Sequence, residues 1–157
     1  MVKTTVGWRG SLYSRPFTTR KPSTRWIVQD DGVQYVAVAA GAMLGANLRY
    51  LVGNWAADRW GADFPYGTFL INVTGAFAIG VLLAFIGERV GVSPLWRLFF
   101  ATGFLGGYTT FSSYTWEALT LAQEGEWVGA GVYILGSNLL GFVGVWLGAT
   151  LARLAPL

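Results

Sequence analysis

The chain has 157 residues, of which 54% are hydrophobic and only 12% charged, and its mean hydropathy is +0.47. Average soluble domains carry roughly 25% charged residues, so this composition points to lipid and excludes an ordinary water-soluble domain. With no Cys and no His, disulfides, thiolate or imidazole metal sites and the usual nucleophile–His pairs are excluded as well.

The net charge of +3 belongs to one end of the chain. Lys3, Arg9, Arg15, Arg20, Lys21 and Arg25 all precede the first acid, Asp30, and the remainder is net −3. Residues 1–32 therefore form a basic, polar tail without the apolar run of a secretory signal. Its composition allows four readings: a disordered cytoplasmic tail, a stretch upstream of a later start near Val33, an anchor to anionic lipid, or an organellar transit peptide.

Four long apolar stretches follow, over residues 33–52, 67–87, 95–122 and 127–154. Each is long enough to cross a hydrocarbon core at about 1.5 Å per residue. Residues this apolar on every side do not make surface helices of a soluble protein. The links are short and polar, at residues 53–66, 88–94 and 123–126. The expected fold is thus an all-α integral membrane domain of four transmembrane helices over residues 33–157, multi-pass in the cell membrane, with sequential helices as antiparallel neighbours.

An even number of spans puts both termini on one side. Orientation follows the Lys/Arg bias of the short loops. Without the tail, Arg89, Arg97 and Arg153 face Arg49 and Arg59, almost no bias; such a chain inserts either way up. With the tail, the termini are held in the cytoplasm.

Four small helices enclose little on their own, so oligomerisation is expected. Small residues permit it: Gly41 and Gly45 in the first stretch, Gly103 and Gly107 in the third, and Gly141, Gly144 and Gly148 on one face of the fourth. Such spacing brings backbones close, either between subunits or among the four helices themselves.

Polar residues at membrane depth are costly. Thr68, Asn72 and Gly75 share a face of the second stretch, and Tyr133 and Ser137 share one with the glycines of the fourth. In the third, Thr109, Thr110, Ser112, Ser113 and Tyr114 crowd around Phe111. The inventory is one of amide and hydroxyl donors with almost no charge. Neutral donors suit an anion that must shed water and still leave. The run Gly106-Gly107-Tyr108-Thr109-Thr110 has poor helix propensity and predicts a broken third helix. Irregular backbone at that depth is tolerated only inside protein or beside a water-filled cavity, and carbonyls freed at such a break are a recurrent means of holding Na⁺. Phe111 and Tyr114 share a face, and their positive ring edges favour an anion.

These residues resemble the successive signatures of the Fluc (CrcB) fluoride channels: Gly41-x-x-x-Gly45-Ala46-x-x-Arg49-Tyr50, Gly67-Thr68-x-x-x-Asn72-x-x-Gly75, and Gly103-Phe104-x-Gly106-Gly107-x-Thr109-Thr110-Phe111-Ser112. The likeness runs over residues 36–154. It implies an antiparallel dimer with two narrow pores and a central structural Na⁺ held by the backbone carbonyls of Gly106 and Thr109. It assigns Asn72, Phe111, Tyr114, Tyr133, Ser137 and Thr110 to the fluoride pathway. The second aromatic is usually Phe in that family, and here it is Tyr114. Arg49 and Glu117 read as structural or vestibule charges.

The expected function is passive, fluoride-selective export from the cytoplasm, relieving fluoride toxicity. The dimer partner is either an identical chain or an oppositely oriented paralogue. No nucleic-acid partner is expected, and no enzyme, because no acid–base pair assembles at membrane depth. The alternative is a small four-span proton-coupled exporter of the multidrug type, which needs a membrane-embedded carboxylate; Glu117 is the one acid well inside an apolar stretch. A non-transporting scaffold leaves the break and the donor track without a purpose.

Overall fold

The computed structural model describes residues 32–88 and 93–154, and the basic tail, Arg89 and the rest of the link at 89–92 lie outside them. The described residues are helical, without strands. In chain order they form α1 (Val33–Trp60), α2 (Tyr66–Glu88), a short α3 (Pro94–Arg97), a π-helix (Leu98–Leu105), a single turn α4 (Gly106–Tyr108), α5 (Phe111–Gln123) and α6 (Trp127–Leu154).

Three of these helices are long and apolar enough to cross a membrane: Val33–Trp60, Tyr66–Ile86 and Trp127–Leu154. Helix α1 continues two turns beyond the expected end at residue 52. Its extension is held by packing: Ala56 is fully buried, and Gly67, at the start of α2, lies close to Gly53 and Ala56. Gly61 ends the helix at φ 82°, a conformation natural to glycine, with its N–H bonded to the Ala57 carbonyl at 2.9 Å. The link to α2 is thereby cut to five residues, 61–65.

The apolar stretch at 95–122 is divided into short pieces. Ser93 caps its start by accepting from the Leu95 N–H at 3.3 Å. The π-helix that follows was not legible in the sequence. Gly106 and Gly107 themselves are helical; the interruption falls after them, at Thr109 (φ −81°, ψ 158°) and Thr110 (φ −149°, ψ 121°). The β-branched pair is the part of the run that leaves the helix.

The glycines have a different use. Gly41 and Gly45 of α1 interlock with the segment from the π-helix to α4. A Cβ on Gly41 or Gly45 would strike the Phe99 or Phe104 carbonyl, one on Gly103 would meet the Val38 carbonyl at 2.7 Å, and one on Gly107 the Ala42 carbonyl at 2.6 Å. In the other half, Gly144 and Gly148 of α6 lie on α2 at Val73 and Phe77, and Gly80 of α2 lies on Val145. Of the two readings of these small residues, internal packing therefore accounts for all but Gly141, which has open space beside it. The main pairings are accordingly α1 with the π-helix and α4, and α2 with α6, with lighter contact between α1 and α2 and between α5 and α6.

Gly45→Ala should lower the thermal midpoint of the detergent-solubilised protein by the equivalent of about 1–3 kcal/mol, the cost of overpacking. Gly141→Ala should leave it unchanged.

Candidate functional site

The interruption at Thr109–Thr110 frees backbone groups that must find partners within the protein. Asn72, on α2, meets them. Its Nδ2 donates to the Thr110 carbonyl at 3.0 Å, and its Oδ1 accepts from the Thr110 N–H at 2.9 Å. A single amide thus clasps both backbone groups of one extended residue. One turn on, Gly75 has no Cβ, and any side chain there would collide with the Thr109 methyl. Thr68, one turn back, donates to Glu117 Oε1 at 2.7 Å. The face of α2 that carries Thr68, Asn72 and Gly75 is therefore the face that receives the break.

Thr110, itself buried, caps α5: its Oγ1 accepts from the Ser113 N–H at 3.2 Å, the role of an N-cap residue. The hydroxyl also bonds Ser113 Oγ at 3.1 Å. Two helical bonds are diverted in the process. The Thr110 N–H would close a helical turn on the Gly106 carbonyl but goes to Asn72; the Ser113 N–H would close one on the Thr109 carbonyl but goes to Thr110 Oγ1. The Thr109 carbonyl instead has Arg49 Nη1 at 3.4 Å. A carbonyl oxygen has two lone pairs, so this one long contact leaves capacity for a further cation. The Gly106 and Thr109 carbonyls, which the resemblance assigns to Na⁺, are thus among the carbonyls at the end of α4 that lose their helical donors.

Two grooves flank the break and share Asn72, Ala76, Thr109 and Val145. The first, of about 350 Å³, is bordered by Asn72, Thr110, Phe111, Tyr114, Ser137 and Asn138 among others. The second, of about 390 Å³, runs past Gly75, Ala101, Gly106 and Thr109. Of the residues predicted to face an anion, Asn72, Thr110, Phe111, Tyr114 and Ser137 come together in the first groove. Phe111 is 77% exposed there, and its ring centroid is 5.8 Å from that of Tyr114. Ser137 Oγ is buried without a hydrogen-bond partner among the described residues.

Tyr133 does not border that groove. It is fully buried behind Tyr114, ring centroids 5.2 Å apart, and its hydroxyl donates to Glu117 Oε2 at 2.7 Å. Glu117 is thereby held by hydroxyls from two other helices, Thr68 of α2 and Tyr133 of α6. A smaller cavity of about 250 Å³ reaches Glu117 and Thr68 from the α1–α2 link, past Phe64 and Tyr66.

Asn138 was missed by sequence reasoning. Its amide donates to the Tyr114 hydroxyl at 2.8 Å and to the Ile134 carbonyl at 2.7 Å. The available signal was an Asn inside a long apolar stretch, which intramembrane polarity alone should have flagged.

The CrcB-like protein, Camphor Resistance (CrcB) family model matches residues 36–149. The chain belongs to the CrcB family. A fluoride-specific ion channel FluC of Roseiflexus sp. (strain RS-1) is 53% identical over 121 residues, covering 77% of this chain and 98% of that relative. The FluC of Acidobacterium capsulatum is 50% identical over 117 residues, covering 74% of this chain and 93% of the relative. That of Solibacter usitatus is 47% identical over 122 residues, covering 77% and 99%. Membership in this family, together with three helices able to span a bilayer, makes the chain a multi-pass membrane protein.

Asn72→Leu removes both bonds to Thr110 and strands its N–H and C=O. Each stranded group should cost about 1–3 kcal/mol, read as a lower thermal midpoint in detergent. Asn72→Asp keeps the acceptor but turns a carboxylate oxygen toward the Thr110 carbonyl, and a midpoint equal to that of the parent protein would contradict the clasp.

Proposed function

We propose that this protein is a fluoride-selective ion channel that lets F⁻ leave the cytoplasm passively and so limits fluoride toxicity. The observation that carries this reading is the first groove. It sets an amide, hydroxyls and aromatic rings from α2, α5 and α6 around one path with no Lys or Arg on its border. Fluoride is small and tightly hydrated, so short, strong donors must replace its water. Their neutrality lets the ion go again, where a lysine or arginine would retain it. The names of the relatives, each a fluoride-specific ion channel, support the same substrate. Membrane potential and the entry of HF as a weak acid supply the driving force for exit.

In this reading the pieces from Pro94 to Gln123 cross the bilayer together as a broken span, third in order of four. The protein works as an antiparallel dimer, either with an identical chain or with an oppositely oriented paralogue. Phe111 supports the dimer: a large ring 77% exposed beside the break borders a groove that a single chain leaves open on one side. A second subunit supplies the missing wall. A structural Na⁺ on the dimer axis takes the carbonyls of Gly106 and Thr109, which are among those that lose helical donors at the break.

The direct test is fluoride efflux from loaded proteoliposomes, with chloride as control. Fluoride should leave and chloride should not; equal fluxes, or neither, would sink the proposal. Phe111→Ile should slow fluoride efflux at least ten-fold without altering the elution volume of the dimer; unchanged flux would make this ring packing only. Replacing Na⁺ on both sides with a large organic cation should reduce both flux and dimer fraction, and should do so reversibly. Flux indifferent to Na⁺ would remove the cation from the mechanism.

A further inference from the structure

We infer that Asn138 is a positioning residue that fixes the Tyr114 hydroxyl as a hydrogen-bond donor to the anion in the groove. The inference rests on the fluoride-channel reading and deepens it at the one position where this chain departs from the usual aromatic.

Asn138 and Ile134 lie one turn apart on α6. The Asn138 amide bonds back to the Ile134 carbonyl at 2.7 Å and uses its other hydrogen on the Tyr114 oxygen at 2.8 Å. Both amide hydrogens are thus committed, and the amide plane is set by the helix that carries it. The Tyr114 oxygen therefore acts as an acceptor toward α6. Its own hydrogen has one acceptor among the described residues, the same Ile134 carbonyl, at 3.5 Å. A good O–H···O bond measures about 2.7–2.8 Å, so this donor is nearly unused. The ring cannot drift to improve it, because Tyr133 lies against one side and Phe111 against another, with centroids 5.2 and 5.8 Å away.

The result is a phenol whose oxygen is engaged and whose hydrogen is spare, on the border of the groove. An O–H that accepts a hydrogen bond becomes a better donor through polarisation. A small, hard anion passing Phe111 thus meets this hydroxyl, where a Phe at position 114 would offer a ring edge alone. Asn138 does not touch the ion in this arrangement; it acts through Tyr114, by denying the phenol oxygen any other orientation.

A double-mutant cycle tests this. Asn138→Leu, Tyr114→Phe and the double variant are reconstituted, and initial fluoride efflux is measured over a range of internal fluoride, with dimer elution and thermal midpoint as controls of fold. Each single variant should slow efflux about five-fold, the size of one net hydrogen bond, and the double variant should be no slower than either. Should Asn138→Leu not assemble, Asn138→Ser, which still bonds back to Ile134 but is too short to reach Tyr114, should give the same loss. Efflux unchanged by loss of the amide, or an equal slowing in the Tyr114→Phe chain, would overturn the inference, since Asn138 would then act without the hydroxyl. A parent chain that fails to pass fluoride over chloride would overturn the channel reading itself.

Discussion

A backbone that leaves the helical conformation inside packed protein frees polar groups, and each must find a partner there. That constraint governs the Thr109–Thr110 interruption. Asn72 takes the Thr110 N–H and C=O together, Thr110 Oγ1 takes the Ser113 N–H, and Arg49 approaches the Thr109 carbonyl. The same rearrangement diverts the helical donors of Gly106 and Thr109. The local hydrogen-bond problem is therefore solved beside a groove bordered by neutral donors.

The break can be held only because the rest of the bundle is close. Gly41 and Gly45 draw α1 onto the π-helix and α4, and Gly80, Gly144 and Gly148 draw α2 and α6 together. Gly75 then admits the Thr109 methyl beside the Asn72 clasp. Small residues in membrane helices lower the distance of closest approach, and with it strengthen dispersion and backbone contact. Here that effect is spent inside one chain. The groove, with Phe111, Gly141 and Phe142 along it, lies apart from these glycine contacts.

The carboxylate of the third segment is held apart from the groove. Glu117, the one acid within the apolar part of the third segment, has each carboxylate oxygen bonded to a hydroxyl, from Thr68 and from Tyr133. The buried Tyr133 connects this carboxylate to the ring stack that ends at Tyr114 and Phe111. The donors nearest the groove are an amide and hydroxyls, whose fields are strong at short range and weak beyond it.

Helix existence, order and approximate ends were legible in the sequence because sustained apolarity leaves a chain no other stable form in lipid. The family, the region of the break, and the gathering of Asn72, Thr110, Phe111, Tyr114 and Ser137 were legible too, since polar and glycine residues at depth are few and each needs a reason. Other features were decided only by the tertiary structure. The interruption fell on Thr109–Thr110 rather than on the glycine pair, because Asn72 is placed to reward an extended Thr110 and Ala42 to accept a helical Gly107. Tyr133 turned inward to Glu117 rather than toward the groove, and Asn138 entered through the Tyr114 hydroxyl. Spacing along a helix tells which residues share its face, but not which neighbouring helix that face will meet. The bonds that tie Asn72 to Thr110, Glu117 to Thr68 and Tyr133, and Asn138 to Tyr114 join different elements, so their pairing became fixed only once the glycines had set how near those helices lie.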